Sequence, residues 1–173
     1  MSAHRKGTVK PLTEDDIRRS LVNGTQGEAD RLPLPGLHEV VWEDREFLGW
    51  RDPRAAHRGY LAHWRGDEPV VVALRESEVG MARGVAAMCS LCHTPQPGHQ
   101  VSLFTAARAG EAGEHGNTVG TYICSDLACS IMIRIVPPPS DLQPHPEEIV
   151  ARRSAGLFKR VDSFIDGVLK PAS

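Results

Sequence analysis

The chain has 173 residues, 40% of them hydrophobic and 24% charged, and 20 basic against 22 acidic residues leave a formal charge of −2. That size fits one domain with extensions, and the near balance of charge excludes a global attraction to nucleic acid or to an anionic membrane. No apolar run approaches the roughly 20 residues needed to cross a bilayer, and no apolar segment follows the early basic residues as an export signal requires, so the expected compartment is the cytoplasm.

In chain order, residues 1–12 read as a loose tail. Thr13 suits the cap of a short helix, with Glu14, Asp15 and Asp16 at its positive end and Ile17 and Leu21 on one face. Gly24 and the polar stretch behind it end that helix, and LPLPG at 32–36 reads as a linker because proline favours extended backbone. Residues 1–36 are therefore expected to form an N-terminal tail with one short helix and a proline-rich linker, and 37–173 the main domain.

From residue 37 the pattern turns to strands. HEVVWED at 38–44 is a strand candidate, and FLGWRDP ends in a turn at Asp52-Pro53. RGYLAHW and PVVVALRE flank RGDE as a hairpin with Gly66 in its turn. CSLCHTPQPGHQ reads as a knuckle and loop, VSLFTAAR as a strand, AGEAGEHGN as a flexible loop and TVGTYIC as the returning strand. SDLACSIMIRI looks helical, capped by Ser125 or Asp126 and stopped by Pro137-Pro138-Pro139. The longest helix is expected over 146–169, with Pro146 in its first turn. Its stripe of Ile149, Leu157, Val161, Phe164, Ile165 and Val168 reads as core packing, with a partner groove as the other reading.

All four cysteines fall into two close pairs, Cys89-Ser-Leu-Cys92 and Cys124-Ser-Asp-Leu-Ala-Cys129. In a reducing compartment paired cysteines are more often metal ligands than disulfides. A two-residue gap on a tight turn sets two thiolates at the spacing tetrahedral zinc accepts, and the second pair spans a strand end and the first turn of a helix. Knuckle, hairpin strands and a ligand-bearing helix make the layout of a treble clef. Four protein thiolates close the coordination shell, so one Zn2+ here is structural rather than catalytic. Competing readings are a c-type haem attachment at Cys89-Ser-Leu-Cys92-His93, a thioredoxin-like redox pair, and four buried cysteines that bind nothing. A deaminase-type zinc site is disfavoured because no His-x-Glu element precedes the cysteines.

His93, His99 and His115 could each replace a cysteine ligand, but read better as loop residues. Asp52 with Arg51 and Arg54 could form an acid–base pair, against the plainer reading of a turn with solvated charges. Arg83, Arg108 and Arg134 are spread around the zinc segment and could make a basic face for a partner, or simply be exposed arginines. No nucleophile, base and orienting group stand at a recognisable spacing, so no enzyme is expected.

The segments FLGWRDPRAAHRGYL, MCSLCHT, VSLFTAARAG, VGTYICSDLACSIMIR and FKRVDSFIDGV carry a resemblance from about Trp42 to Val168. They resemble the FBP-type domain, the C-terminal treble-clef zinc finger of FusB-like, elongation-factor-G-binding proteins. The resemblance implies a non-catalytic accessory of translation. Proteins of that kind bind elongation factor G and promote its release from ribosomes stalled by fusidic acid. It further implies partner contacts on the knuckle and near the third metal ligand. By position these fall at Ser90, where that family's contact is aromatic, and at Tyr122, whose other reading is an interior strand residue. Arg134 is the third candidate for a partner contact. A different class of function, a zinc module binding ribosomal RNA directly through its arginines, stays open, and an enzyme merely propped by zinc is a weaker third. The expected fold is α+β: a small antiparallel sheet with a treble-clef zinc finger and a long C-terminal helix.

Overall fold

The computed structural model describes residues 10–82 and 84–171. Residues 1–9 of the expected tail and Arg83 lie outside them. The architecture is α+β, a five-stranded antiparallel sheet in the order β1-β2-β3-β6-β7 and a separate two-stranded ribbon, β4-β5. The strands are β1 Leu48–Asp52, β2 Ala55–Arg65, β3 Glu68–Glu76, β4 Ala86–Met88, β5 Pro95–Pro97, β6 Val101–Ala107 and β7 Thr118–Cys124. The helices are α1 Glu14–Arg19, α2 Gln26–Asp30, α3 Glu111–Glu114, α4 Cys129–Met132 and α5 Pro146–Leu169.

Side chains alternate between the two faces of a strand, and here β2 and β3 bury both. Leu61, Val70, Val72 and Leu74 point to a first core shared with Phe104, Ile123 and the four cysteines. Leu157, Val161, Phe164, Ile165 and Val168 of α5 close that core, so the helical stripe packs inward as expected. Tyr60, Ala62 and Val71 point the other way, into a second core with Trp50, Leu12, Ile17 and Leu32. This double burial explains why PVVVAL reads as an unbroken apolar run.

The second core belongs largely to the N-terminal segment, whose described residues hold two helices rather than one. Both begin with reciprocal capping boxes, Thr13 with Asp16 and Thr25 with Glu28. Arg18 closes the end of α2 by donating to the carbonyls of Ala29, Asp30 and Leu32. Between the helices, Val22 donates to Val71 O and Val71 to Ser20 O, so residues 20–22 occupy the edge of β3 where β6 has diverged. The Asn23 amide fills the fork. It donates to Ala73 O at 2.9 Å and Ala107 O at 3.0 Å, and accepts from Ala73 N at 2.8 Å. The Trp50 and Trp64 indoles bind the carbonyls of Pro33 and Lys10, fastening the same segment at two further points.

Several local expectations change. HEVVWED is not a strand but two 3-10 turns, Leu37–Glu39 and Trp42–Asp44, whose N–H groups bond back to Gly36, Leu37, Val41 and Trp42. Val41 is exposed there, so nothing rewards the alternation its sequence suggests. The stretch after the knuckle pairs as β5 with β4 despite two prolines, which sit at alternate positions of the short ribbon around Gln96. AGEAGEHGN contains α3, and a Cβ at Gly113 would lie 1.8 Å from Arg108 O, so only glycine allows that close turn. The helix after Cys124 starts late, at Cys129. Cys124–Ala128 form a turn with Leu127 at φ 58°, and Asp126 accepts from Ala128 N within it. The β2–β3 hairpin is as expected, with Gly66 at φ 62°.

Candidate metal centre

Four pieces of backbone converge on one buried point. Cys89 and Cys92 lie on the turn between β4 and β5, Cys124 ends β7, and Cys129 opens α4. Their Sγ atoms all lie within 4.8 Å of one another, with Cys89–Cys129 and Cys92–Cys124 each at 3.6 Å. A tetrahedral zinc with Zn–S near ~2.3 Å sets its sulfurs about 3.8 Å apart, so the quartet fits the ion with little adjustment. All four thiols are free and buried. Among the described residues no histidine joins them: His93, His99 and His115 are exposed.

N–H donors around the sulfurs favour thiolates. The N–H groups of Leu91 and Cys92 point at Cys89 Sγ at 3.4 Å, the pattern of a knuckle turned around its first ligand. Gln96, buried on β5, donates from Nε2 to Cys124 Sγ at 3.2 Å. Hydrogen bonds from Cys124 and Cys129 pull the thiols of Cys89 and Cys92 below their ordinary range, and the same contacts push Cys129 up. Sulfurs so close in a dry site compete for protons, and one divalent cation relieves the competition by letting all four ionise. The donor set fits one structural Zn2+, held by Cys89, Cys92, Cys124 and Cys129, with no open position for water.

The site fastens distant segments. Ser90 N donates to Tyr122 O at 2.8 Å, tying the knuckle to β7, and Arg160 Nε on α5 donates to Leu91 O. A Cβ on Gly49 would lie 2.5 Å from Leu127 O, so β1 runs directly against the loop between the third and fourth ligands.

Of the candidate partner residues, Ser90 is exposed beside the cysteine quartet, and Tyr122 is 41% exposed on the outward side of β7, not interior. Arg134 turns inward and forks onto the fully buried carboxylate of Glu46, with Nη1–Oε2 at 3.0 Å and Nη2–Oε1 at 2.7 Å. Arg108 binds Gly167 O near the far end of α5, so these two arginines do not share a face. Arg51, one of the turn charges, binds Glu76 and Ser125 O rather than pairing with Asp52. Sequence reasoning missed Glu46 and Gln96. Neither sits in a motif, and only the tertiary fold buries them.

Among the described residues, no helix is long and apolar enough to cross a membrane. No curated protein matches the chain. Among solved structures, it is similar to the fusidic acid resistance protein FusC at 15% identity and a TM-score of 0.55, covering 94% of this chain and 60% of that one. The chain thus spans 60% of the length of FusC, and the likeness is one of fold. Residues 16–168 match the family described as the FBP C-terminal treble-clef zinc-finger. With four buried thiols at zinc spacing, two of them on a knuckle, the chain belongs to that family.

Proposed function

We propose that the protein is a non-catalytic, zinc-stabilised binding protein of the cytoplasm that docks on elongation factor G, and through it on the ribosome. The observation that carries this reading is the exposed surface beside a closed metal centre. Met88, Ser90 and Tyr122 stand outward around the knuckle, and the Ser90 N–Tyr122 O bond fixes the last two relative to each other. An aromatic ring and a flexible thioether on a rigid frame are what a protein interface uses as anchors. The FusB-like resemblance supplies the partner. Ser90 and Tyr122 would meet it, while Arg134, committed to Glu46, would hold α4 and its ligand Cys129 in place beneath them. A metal sealed by four thiolates activates no water, which is why its role here is to shape a surface.

Calorimetric titration of the zinc-loaded chain against purified elongation factor G tests the reading. Saturable binding weakened about tenfold or more by Tyr122→Ala, with little dependence on salt, is the expected outcome. No heat of binding, with the zinc content and fold intact, would rule it out.

A further inference from the structure

The N-terminal segment does not cover the whole second face of the sheet. Where it stops, beside Asn23, a cleft of about 460 Å³ opens, and Arg31, Arg54, Arg58 and Arg75 line it. They come from four places: the end of α2, the β1–β2 turn, β2 and β3. The neighbouring arginines Arg18, Arg19, Arg51 and Arg65 have carboxylate partners. Among the described residues the four guanidinium groups of the cleft have none. The two carboxylates of the cleft are already occupied by backbone, Asp52 by Arg54 N and Glu28 by Thr25 N.

Arg58 and Arg75 are direct cross-strand partners. Directly opposed side chains stand about 5 Å apart at Cβ, and like charges there destabilise a sheet. Both share the face of Tyr60 and Ala73, so their forks rise into the same cleft. An anion seated between them turns that repulsion into two charge-assisted contacts. Arginine's planar fork suits such an anion better than lysine does. Thr105, opposite Arg75 on β6, and Thr118 add hydroxyls to the wall.

The chemistry of the wall selects among anions. None of the large exposed apolar side chains of the described residues lines this cleft, so it lacks the hydrophobic anchor of a protein interface. Tyr60 is buried and stacked on Trp50, with ring centroids 5.6 Å apart, so no aromatic face is free for a base. What remains is charge from several directions. A carboxylate offers two oxygens in one plane, whereas a phosphate offers its oxygens tetrahedrally and can meet forks converging from several elements. We propose that this cleft binds phosphate groups, carried by a small pyrophosphate-type ligand or by the backbone of single-stranded RNA, with Arg58 and Arg75 as the central pair and Arg31 and Arg54 as flanking contacts. The site is independent of the elongation factor reading. The same uncovered face continues past Thr105 and Gly120 to Leu103 and Tyr122, and so reaches the knuckle surface.

The test uses the full zinc-loaded chain, with inorganic pyrophosphate followed by calorimetry and a labelled oligouridylate followed by anisotropy. Binding of at least one is expected. Arg58→Gln with Arg75→Gln should weaken it about tenfold or more. Zinc content should be unchanged and the melting temperature equal or higher, because the like-charge rung is relieved. Tyr122→Ala should leave it intact, which separates this site from the protein-docking surface. Oligouridylate displaced by pyrophosphate, with a salt slope that falls by about 0.7 for each arginine removed, identifies the RNA backbone as the source. Binding of pyrophosphate alone identifies a small ligand. Should the double variant fail to fold, Arg31→Gln and Arg54→Gln, at a helix end and a turn, give the same readout. Three results would overturn the site: neither probe bound at millimolar concentration, binding untouched by the substitutions, or oligoglutamate bound as tightly as the phosphates.

Discussion

Arg134 and Glu46 face each other through two parallel hydrogen bonds, and the carboxylate of Glu46 has no exposed surface while the guanidinium retains 23%. Ser154 on α5 adds a third bond to Glu46 Oε1 at 3.0 Å, and Ser130 Oγ accepts from Glu46 N. This network joins three segments that the metal does not itself link: the lead-in to β1, the residues after α4, and α5. Arg134→Ala leaves a buried carboxylate without its counter-charge, a loss of about 3 kcal/mol or more. Chemical denaturation of the zinc-loaded variant checks it. Replacing Glu46 and Arg134 together by Leu and Met should recover much of the loss, since an apolar pair avoids the desolvation cost.

Asn23 offers a second place where one side chain stands in for backbone. Its amide completes the ladder at the fork of β3 and β6, and Asn23→Ala would orphan the N–H of Ala73 together with two carbonyls. A loss of about 2 kcal/mol is expected. Amide exchange at Ala73 should accelerate while the metal-proximal amides of Leu91 and Cys92 stay protected.

Gly49 permits β1 to touch the ligand-bearing loop, with Leu127 O 2.5 Å and Leu127 Cβ 2.6 Å from where a side chain would begin. Backbone cannot swing aside as a flexible side chain can. Gly49→Ala should therefore cost about 1–3 kcal/mol and lower the melting temperature. Gly66→Ala, placed in open space, would act only through its positive φ.

His63 provides a pH-dependent contribution. Its Nδ1 donates to Glu46 O at 3.0 Å, and its Nε2 is buried without a hydrogen-bond partner among the described residues, 3.7 Å from Asp162 Oδ1. Burial holds its pKa below the ordinary 6.5, against the opposing effects of the Glu46 carbonyl and Asp162, and Arg65 adds to the lowering. The folded state thus refuses a proton that the unfolded chain accepts. The stability this represents is complete above about pH 6.5 and is lost as pH falls through the depressed value, with a slope of at most about 1.4 kcal/mol per pH unit. Denaturation midpoints at about pH 7 and about pH 5 should fall less for His63→Leu than for the parent chain.

Features carried by local pattern could be read before the structure: the cysteine quartet by its spacing, α5 by its apolar stripe, and β2–β3 by the run around Gly66. What could not be read depends on partners distant in sequence. The α2 helix had a signal, the Thr25–Glu28 capping box, but at five residues it gains its stability from Arg18 and from the second core rather than from propensity. HEVVWED has strand-like alternation, but among the described residues no strand pairs with it. The arginine cleft draws residues from positions 31 to 75 and leaves no spacing to recognise. Asn23 and Glu46 look like ordinary surface polar residues until the fold encloses them.

One zinc ion, gripped by Cys89, Cys92, Cys124 and Cys129, would lock the knuckle, β7 and α4 into a single frame. Zinc-finger peptides gain roughly 10–16 kcal/mol from such an ion at neutral pH, more than the local core can replace. The most direct measurement is the metal content of protein purified without chelators, by native mass spectrometry, for the parent chain and for Cys129→Ser. One zinc per parent chain and a variant depleted of both metal and thermal stability is the predicted result. A parent chain that is folded and metal-free, or a variant that keeps full zinc and its melting temperature, would contradict it.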